Sequence, residues 1–261
     1  MEEPLFSIVT ITYQNLDGLR GTVESVAAQT LTDYEHIVID GGSTDGSADW
    51  LEANFTGAWV SEPDGGRYPA MNKGAAMATG RYLWFLHAGD SLGDPDVLKR
   101  VAHLIENGTG GAPEWLFGFA RVVAPDRSVV GILGFAPFTM FKFAVQGLEI
   151  PHQATVMTRR LFEEIGGYDD RNEVAADQVL LMAAANRSLP LAVADFFCDF
   201  DATGLSADRP WVDYLRDGVT VVRQARYPVT RSRTTDLILL VAILSAKQVA
   251  ALVRNGLMGS G

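Results

Sequence analysis

Runs of apolar residues alternate with segments of helical periodicity along the first half of the chain. The apolar runs are rich in β-branched and aromatic residues, which predicts strands at 6–12, 34–40, 58–60 and 81–87. Between and after them, apolar or small residues recur at helical spacing, which predicts helices at 16–29, 47–55, 70–78 and 94–106. This alternation predicts an α/β fold with a largely parallel sheet and right-handed crossovers. We expect Gly80 to end the third helix as its C-cap and Asp94 to begin the fourth as its N-cap.

The second half of the chain is less regular. Apolar runs predict strands at 115–123, 128–133, 155–158 and 191–200, and helical patterns occur at 160–165, 174–186, 210–225 and 235–254. Residues 136–146 are rich in phenylalanine but have no clear period, so we expect a connector there. No internal repeat or flexible linker is visible, which predicts one domain, 1–205, followed by a C-terminal helical extension, 206–261.

Composition and charge exclude several classes of protein. The 261 residues carry a net charge of −11, which argues against a duplex nucleic-acid binder. The single cysteine, Cys198, excludes an internal disulfide framework and a multi-thiolate zinc site. The acidic N-terminus does not resemble a signal peptide, and the apolar run 237–246 is too short to span a bilayer, so we expect a cytoplasmic protein.

Polar segments follow three of the predicted strands at their carboxyl ends. They are Thr12-Tyr13-Gln14-Asn15, residues 40–47 and residues 87–90. Ligands of open parallel sheets bind outside the carboxyl ends of the strands, so we expect these segments to form one site. The glycine-rich phosphate motifs GxGxxG and GxxxxGK[ST] are absent from the sequence.

Several of these segments resemble the family-two glycosyltransferases of the GT-A fold. The similar segments are SIVTITYQN near the start, VIDGGSTDGS at 38–47, EPDGGRYPAMNKGAAMATGRYLWFLHAGD at 62–90, IPHQAT at 150–155, GGYDD at 166–170 and AADQ at 175–178. The chain lacks QxxRW, so it resembles the small, non-processive branch, which acts on nucleotide sugars in polysaccharide, glycolipid or glycopeptide assembly. The resemblance implies a nucleotide-sugar-binding half, 1–110, and an acceptor half, 111–205.

The resemblance also implies residues that bind the nucleotide-sugar donor. In this sequence they are Thr12, Tyr13, Asp40, Asp64, Arg67, Asn72, Lys73, His87 and Gly89. Asp40 has an alternative role as a turn carboxylate, Tyr13 as a residue packed on the sheet edge, and Lys73 as part of a solvated helix face. Many relatives have two acidic residues where this chain has Asp40-Gly41, so the nucleobase is not assigned.

The family's metal motif, D-x-D, is reduced in this chain to His87-Ala88-Gly89-Asp90. The resemblance implies that Asp90 binds a divalent metal, Mn²⁺ or Mg²⁺, against the donor diphosphate. One carboxylate is sufficient for Mg²⁺, which takes its other ligands from phosphates and water. His87 is either a further ligand or a buried histidine at a strand end, and the alternative for Asp90 is a helix cap.

The later segments supply the candidate catalytic base. Asp177 lies among alanines and leucines at the start of a predicted helix, where a carboxylate is costly unless it is paired. In the family this position is the general base that deprotonates the acceptor hydroxyl; an ordinary N-cap is the alternative. His152 and Gln153 are candidates for contact with the acceptor or the diphosphate, although a lone histidine is also often structural.

Together these residues predict an inverting glycosyltransferase that uses a saccharide, lipid-linked or peptide acceptor. The alternatives are a nucleotidyltransferase that makes sugar nucleotides, and an inactive sugar-nucleotide-binding protein. Residues 216–261 have seven basic and two acidic residues, so this tail is positive while the rest of the chain is strongly negative. Such a basic, apolar tail predicts either peripheral contact with the inner face of a membrane or packing, on its own domain or in a homodimer.

Overall fold

The computed structural model describes residues 3–108, 110–169, 176–201 and 210–258. Its first half alternates strands and helices as predicted. The elements are β1 Phe6–Thr12, α1 Leu16–Ala27, β2 Tyr34–Asp40, α2 Ser47–Asn54, β3 Ala58–Ser61, α3 Arg67–Met77, β4 Tyr82–His87, β5 Ser91–Leu92 and α4 Val97–Asn107.

The second half contains the predicted strands and helices together with two short helical turns. They are β6 Trp115–Val123, β7 Val129–Leu133, a π-helical turn Phe141–Val145, a 3₁₀ turn His152–Ala154, β8 Thr155–Thr158, α5 Arg159–Glu164, α6 Ala176–Ala185, β9 Leu191–Asp201, α7 Trp211–Gln224 and α8 Arg233–Met258. The predicted helix start at residues 174–175 and the predicted domain boundary near residue 205 lie outside the described residues.

The described strands form one sheet in the order β3-β2-β1-β4-β8-β6-β9-β5, and β7 pairs with β6. Strands β1 to β4 are parallel, as expected from their helical crossovers. The pairing is mixed in the second half: β6 and β9 are parallel, whereas β8 is antiparallel to both β4 and β6. A short turn also joins β6 to β7 as an antiparallel hairpin.

Helices α3 and α4 differ from the prediction at their ends. Helix α3 begins at Arg67 because Gly66, with φ +116°, turns the chain directly into the helix. The C-cap of α3 is Ala78 in an extended conformation, so Gly80 does not cap it. The N-cap position of α4 is Asp96, whose N–H donates to Asp94 Oδ1 over 2.9 Å. Asp94 therefore caps the turn that immediately precedes α4, and it is not the N-cap of the helix itself.

Helices cover both faces of the sheet. Helices α3, α5, α6, α7 and α8 contribute to the core on one face, and α1 and α4 to the core on the other. The phenylalanine-rich connector is part of the first core: Phe135 and Phe143 are buried, and Phe138 stacks on Phe135 with ring centroids 6.1 Å apart. Its lack of period follows from this, since each ring fills a gap beside the sheet instead of lining one helix face.

The two C-terminal helices pack on the domain through one face. Val222 and Leu240 are buried in the first core, and the Arg233 guanidinium donates hydrogen bonds to the carbonyls of Val222 and Ala225 at 3.2 and 2.7 Å. The apolar stretch of α8 is longer than the ten-residue run 237–246 considered in the sequence. Residues 233–251 of α8 form a 19-residue stretch of mean hydropathy 1.5, which is long and apolar enough by length and composition.

Candidate active site

The three predicted polar segments meet at one edge of the sheet. Thr12 pairs in register with Asp40, and Ile11 pairs with His87, so the carboxyl ends of β1, β2 and β4 are neighbours. The strand order reverses between β1 and β4, which is the point where open α/β sheets bind ligands. The residues described below therefore surround a single edge of the sheet.

Asp40 is fully buried and holds the turn that follows β2. Its carboxylate accepts hydrogen bonds from Ser43 N at 3.0 Å, Ser43 Oγ at 2.5 Å and Ser61 Oγ at 2.6 Å. These bonds compensate the desolvation of a buried carboxylate and fix residues 41–43. The side chain thus has the turn-forming contacts of the alternative role.

Gly41 separates two of the predicted donor-binding residues. A Cβ atom added at Gly41 would lie 3.0 Å from Asp64 Oδ2 and 3.3 Å from Tyr13 Cδ2, so both side chains flank the bare backbone. The Tyr13 side chain is 68% exposed, which does not fit packing against the sheet edge. Beside it, Thr12 is buried and its Oγ1 has no hydrogen-bond partner among the described residues. A buried hydroxyl in this state is costly until a ligand or water satisfies it.

Two other predicted donor residues make internal contacts instead. Asn72 exchanges two hydrogen bonds with the backbone of Tyr168, at 2.8 and 2.9 Å, and so ties α3 to the segment after α5. Lys73 Nζ lies 2.8 Å from Glu62 Oε1 in a partly exposed ion pair. Both side chains fix α3 beside the site, and neither points to a separate chemical role.

The turn from His87 to Asp90 positions one buried carboxylate. Gly89 has φ +107°, which lets the chain reverse after β4. The Asp90 carboxylate accepts hydrogen bonds from the backbone N–H of His87 at 3.1 Å and of Asp201 at 3.2 Å. Burial raises the pKa of Asp90 to about 7. The Asp201 carboxylate lies next to Gly89, 2.9 Å from the position of an added Cβ atom, and was missed by the sequence analysis.

A row of three side chains connects this turn to Asp177. His152 Nε2 lies 3.2 Å from His87 Nε2, and His152 Nδ1 lies 3.5 Å from Asp177 Oδ2. Burial, with the nearby His152 and Arg67, lowers the pKa of His87 well below its usual value, so His87 is neutral. Burial by itself would raise the pKa of Asp177, but hydrogen bonds from His152 and Gln178 outweigh it, and this pKa lies below its usual value. Asp177 is therefore ionised at neutral pH.

Asp177 is held from two further sides. The backbones of Ala176 and Asp177 hydrogen-bond to the Tyr68 hydroxyl, and burial together with the Asp177 charge raises the pKa of this phenol. Gln178 binds the backbone of Ile150 at both its carbonyl, 3.0 Å, and its N–H, 3.3 Å. The sequence analysis missed Tyr68 because it predicted that this helix begins at residue 70, whereas α3 begins at Arg67. The Gln178 contact was missed because it joins segments 28 residues apart.

Gln153, the remaining predicted residue, lies in the core beneath this row. It is 4% exposed, and its backbone carbonyl accepts a 2.7 Å hydrogen bond from Trp84 Nε1. This bond fixes the 3₁₀ turn that carries His152. Gln153 therefore supports the position of His152.

Residues 7–164 match the sequence profile of Glycosyl transferase family 2. The chain belongs to this family. An uncharacterized glycosyltransferase of Mycobacterium tuberculosis is 42% identical over 210 residues, which are 79% of this chain and 78% of the relative. The membership confirms the predicted family and the glycosyltransferase activity, and it argues against the nucleotidyltransferase alternative.

Solved structures confirm the GT-A fold of this glycosyltransferase. S. aureus TarS 1–349 in complex with UDP-GlcNAc superposes with a TM-score of 0.65 at 18% identity, over 92% of this chain and 71% of TarS. The mannosyltransferase PcManGT of Pyrobaculum calidifontis, in complex with GDP-Man and Mn²⁺, gives 0.62 at 17% identity, over 98% and 80% of the two chains.

The strand-end residues of the glycosyltransferase fit a divalent cation only in an open site. In the described parts of the chain, no group of three or more His, Cys, Asp and Glu side chains has the arrangement of a metal cage. The candidate metal ligands are the buried Asp90 carboxylate and the Asp201 carboxylate, which lies next to Gly89. Mg²⁺ and Mn²⁺ prefer such hard oxygens, and Mg²⁺ commonly takes its other ligands from substrate phosphates and water.

Proposed function

We propose that this glycosyltransferase transfers a sugar from a nucleoside diphosphate sugar to an acceptor hydroxyl with inversion at the anomeric carbon. The observation that carries the proposal is Asp177, an ionised carboxylate in the same strand-end site as Asp90. Asp177 accepts the proton of the acceptor hydroxyl as that oxygen bonds to the anomeric carbon. The bond from this carbon to the diphosphate oxygen breaks, and its electron pair leaves with the diphosphate. A single displacement needs one base.

His152 is the positioning residue for this base. Its ring lies between Asp177 and His87, with one nitrogen directed to each. A hydrogen bond from His152 orients the carboxylate and stabilises its ionised form. The neutral His87 leaves the second nitrogen of His152 in a defined contact without adding a charge.

The donor occupies the edge around Gly41 and the turn before Asp90. The Thr12 hydroxyl, which has no hydrogen-bond partner among the described residues, binds the nucleobase or ribose. Tyr13 and Asp64 flank the adjacent backbone of Gly41. The nucleoside diphosphate sugars bound by TarS and PcManGT support a donor of this class. The Arg67 guanidinium is near enough to His87 to contribute, after burial and His152, to the lowered pKa of that imidazole, and we assign Arg67 to the diphosphate.

Asp90 is the residue that holds the divalent metal, Mn²⁺ or Mg²⁺, beside Gly89 and His87. The bound ion supplies charge neutralisation for the departing diphosphate. The raised pKa of Asp90 supports this assignment, because a cation at the carboxylate offsets the cost of burying its charge.

A thermal-shift series with UDP, GDP and their sugar derivatives, with and without Mn²⁺, tests the donor assignment. Binding of a ligand at 100 times its Kd stabilises the fold by about 2.7 kcal/mol, which is a shift of several degrees. We expect one nucleoside diphosphate to raise Tm, and more so with Mn²⁺. NMR of the product tests inversion, and a retained anomeric configuration would exclude the single displacement. No shift with any nucleotide would contradict the donor site.

We also propose that the enzyme is cytoplasmic and contacts the inner face of a membrane through α8. The outward side of this helix exposes Ile238, Val241 and Val249 by 63, 41 and 59%. At the turn between α7 and α8, exposed basic and aromatic side chains are adjacent: Arg223, Arg226, Tyr227 and Arg231. An apolar stripe next to arginines complements an anionic leaflet, at about 1 kcal/mol for each basic residue.

Co-sedimentation with vesicles of anionic and of neutral lipid tests this contact. We expect binding to anionic vesicles at low salt, and a loss of roughly 100-fold when Arg223, Arg226 and Arg231 are changed to serine, from three contributions of about 1 kcal/mol. Surface arginines far from α8, such as Arg160, provide the control. Equal binding by all variants would contradict the proposed contact with anionic lipid. A dimer in light scattering that Ile238→Glu dissociates would assign the apolar stripe to a second copy instead.

A further inference from the structure

An open cavity of about 430 Å³ lies between β7, the segment 147–149 and the two C-terminal helices. Its walls are mainly apolar and aromatic: Ile132, Leu133, Leu148, Trp211, Tyr214 and Leu244. It is separate from the residues assigned to the donor and the base. The volume is that of a site for a small molecule.

The chemistry of the walls favours an apolar ligand. Ile132 is 59% exposed and Trp211 39%, so each presents apolar surface to the cavity and to water. The ammonium of Lys247, also on the wall, donates a 2.9 Å hydrogen bond to the carbonyl of Gln146. Glu149, Lys247 and Gln248 also line part of the cavity, but most of its wall is apolar. Burying saccharide hydroxyls against that apolar part without hydrogen bonds is unfavourable. An alkyl or aryl chain gains by covering the same surface.

The cavity is close to the catalytic row along the chain. Glu149 lines the cavity and precedes His152 by three residues, a span of at most about 11 Å even in an extended chain. Between them, Ile150 is fixed by both hydrogen bonds of Gln178, the residue after Asp177. One short, anchored segment therefore forms part of the cavity wall and carries the partner of the base.

We infer that this cavity binds the apolar chain of an amphiphilic acceptor, and that the hydroxyl-bearing head of that acceptor reaches Asp177. The role of Asp177 in this inference rests on the proposed function, whereas the binding of the acceptor's apolar chain in the cavity does not. It names the acceptor class: a hydroxylated head group on an alkyl or aryl chain. A purely saccharide or peptide acceptor does not use these walls.

Binding of n-alkyl β-glucosides with six to nine carbons, below their micellar concentrations, tests the inference on the full chain. We expect Kd to tighten by about threefold to fourfold for each added methylene, as for burial of a CH₂ group. Ile132→Glu should weaken octyl glucoside at least tenfold. Val129→Glu is the matched control, because Val129 lies on the same strand with 56% exposure but does not line the cavity.

A second pair of variants repeats the comparison on α7. Trp211→Ala should weaken binding, whereas Val212→Ala, next to it and 49% exposed, should not. The nucleotide-dependent thermal shift is measured on every variant and should be unchanged, which separates loss of the chain site from loss of the donor site. Absence of chain-length dependence, or equal weakening by Val129→Glu, would overturn the inference. Dissociation of a dimer by Ile132→Glu, without any glucoside binding, would assign the cavity to a second copy and also overturn it.

Discussion

Replacement of Asp177 by asparagine tests the proposed chemistry most directly. The change keeps the shape of the side chain and one oxygen that can accept the hydrogen bond from the Gln178 backbone N–H, which is 2.8 Å long in the wild-type protein. It removes the negative charge and the basicity. The position of the other oxygen, 3.5 Å from His152 Nδ1, becomes an NH₂ group, which can donate to Nδ1 when the proton of the neutral imidazole is on Nε2. We therefore expect a folded protein with an intact donor site.

The expected loss of activity follows from the role of a general base. Proton transfer to a positioned base contributes about 10²–10⁴-fold to a rate, so kcat should fall by this factor, or about 3–5 kcal/mol in activation free energy. The structure sets a second expectation. Because the pKa of Asp177 lies below its usual value, the wild-type rate should decline only at a pH below the ordinary range of an aspartate.

Release of nucleoside diphosphate from a nucleotide sugar, in single-turnover experiments, measures the step without knowledge of the acceptor, since water can take the place of the acceptor hydroxyl. Donor affinity is measured separately by calorimetry. The control is Asp195→Asn on β9, which weakens a partly exposed ion pair with Arg100 of α4. A fall in kcat smaller than tenfold would refute the assignment of Asp177 as the base. A collapse of donor affinity would place Asp177 in the donor site or the fold.

Three further expectations concern the donor edge. The Tm shift produced by Mn²⁺ with a nucleoside diphosphate should be smaller at pH 5.5 than at pH 8, because protons compete with the metal for Asp90, whose pKa is about 7. A Tm shift that does not depend on pH, or that persists in Asp90→Ala, would contradict this expectation. Arg67→Ala should raise the Kd of the donor, whereas Lys73→Ala should change stability by less than about 1 kcal/mol and leave the donor Kd unchanged, since the partly exposed pair with Glu62 is its contact. Gly41→Asp should weaken donor binding more than Gly41→Ala in calorimetry, because it adds a like charge beside Asp64, whose Oδ2 lies 3.0 Å from the Cβ position of residue 41. Equal effects of the two variants would show that only the added volume matters.

The local pattern of the sequence was sufficient for the first half of the fold. The bounds of β1 and β2 agree with the prediction because each is a buried, nearly continuous apolar run bounded by polar turns. Pairing in the second half was not predictable from periodicity. The antiparallel entry of β8 between β4 and β6 depends on which edge of the sheet is free, and this is a property of the whole domain.

The site shows the same division. The strand ends of β1, β2 and β4 could be brought together from the sequence because parallel register fixes them. The contact of His152 with His87 joins positions 65 residues apart, and the periodicity of neither segment contains it. Likewise, the resemblance assigned Asn72 to the donor, and its contact with the backbone of Tyr168, 96 residues away, could not be predicted from the local sequence.

The two departures from the family pattern have a common structural answer. The resemblance implies a second acidic residue after Asp40; this chain has Gly41 there, and the Asp64 carboxylate lies next to the position of the missing side chain. Where the family has D-x-D, this chain keeps only Asp90, and the Asp201 carboxylate lies beside Gly89. Each replacement comes from a different part of the chain, and each glycine provides the space for it. The cation that we propose at Asp90 would therefore have a second carboxylate nearby, that of Asp201, although the sequence motif is incomplete.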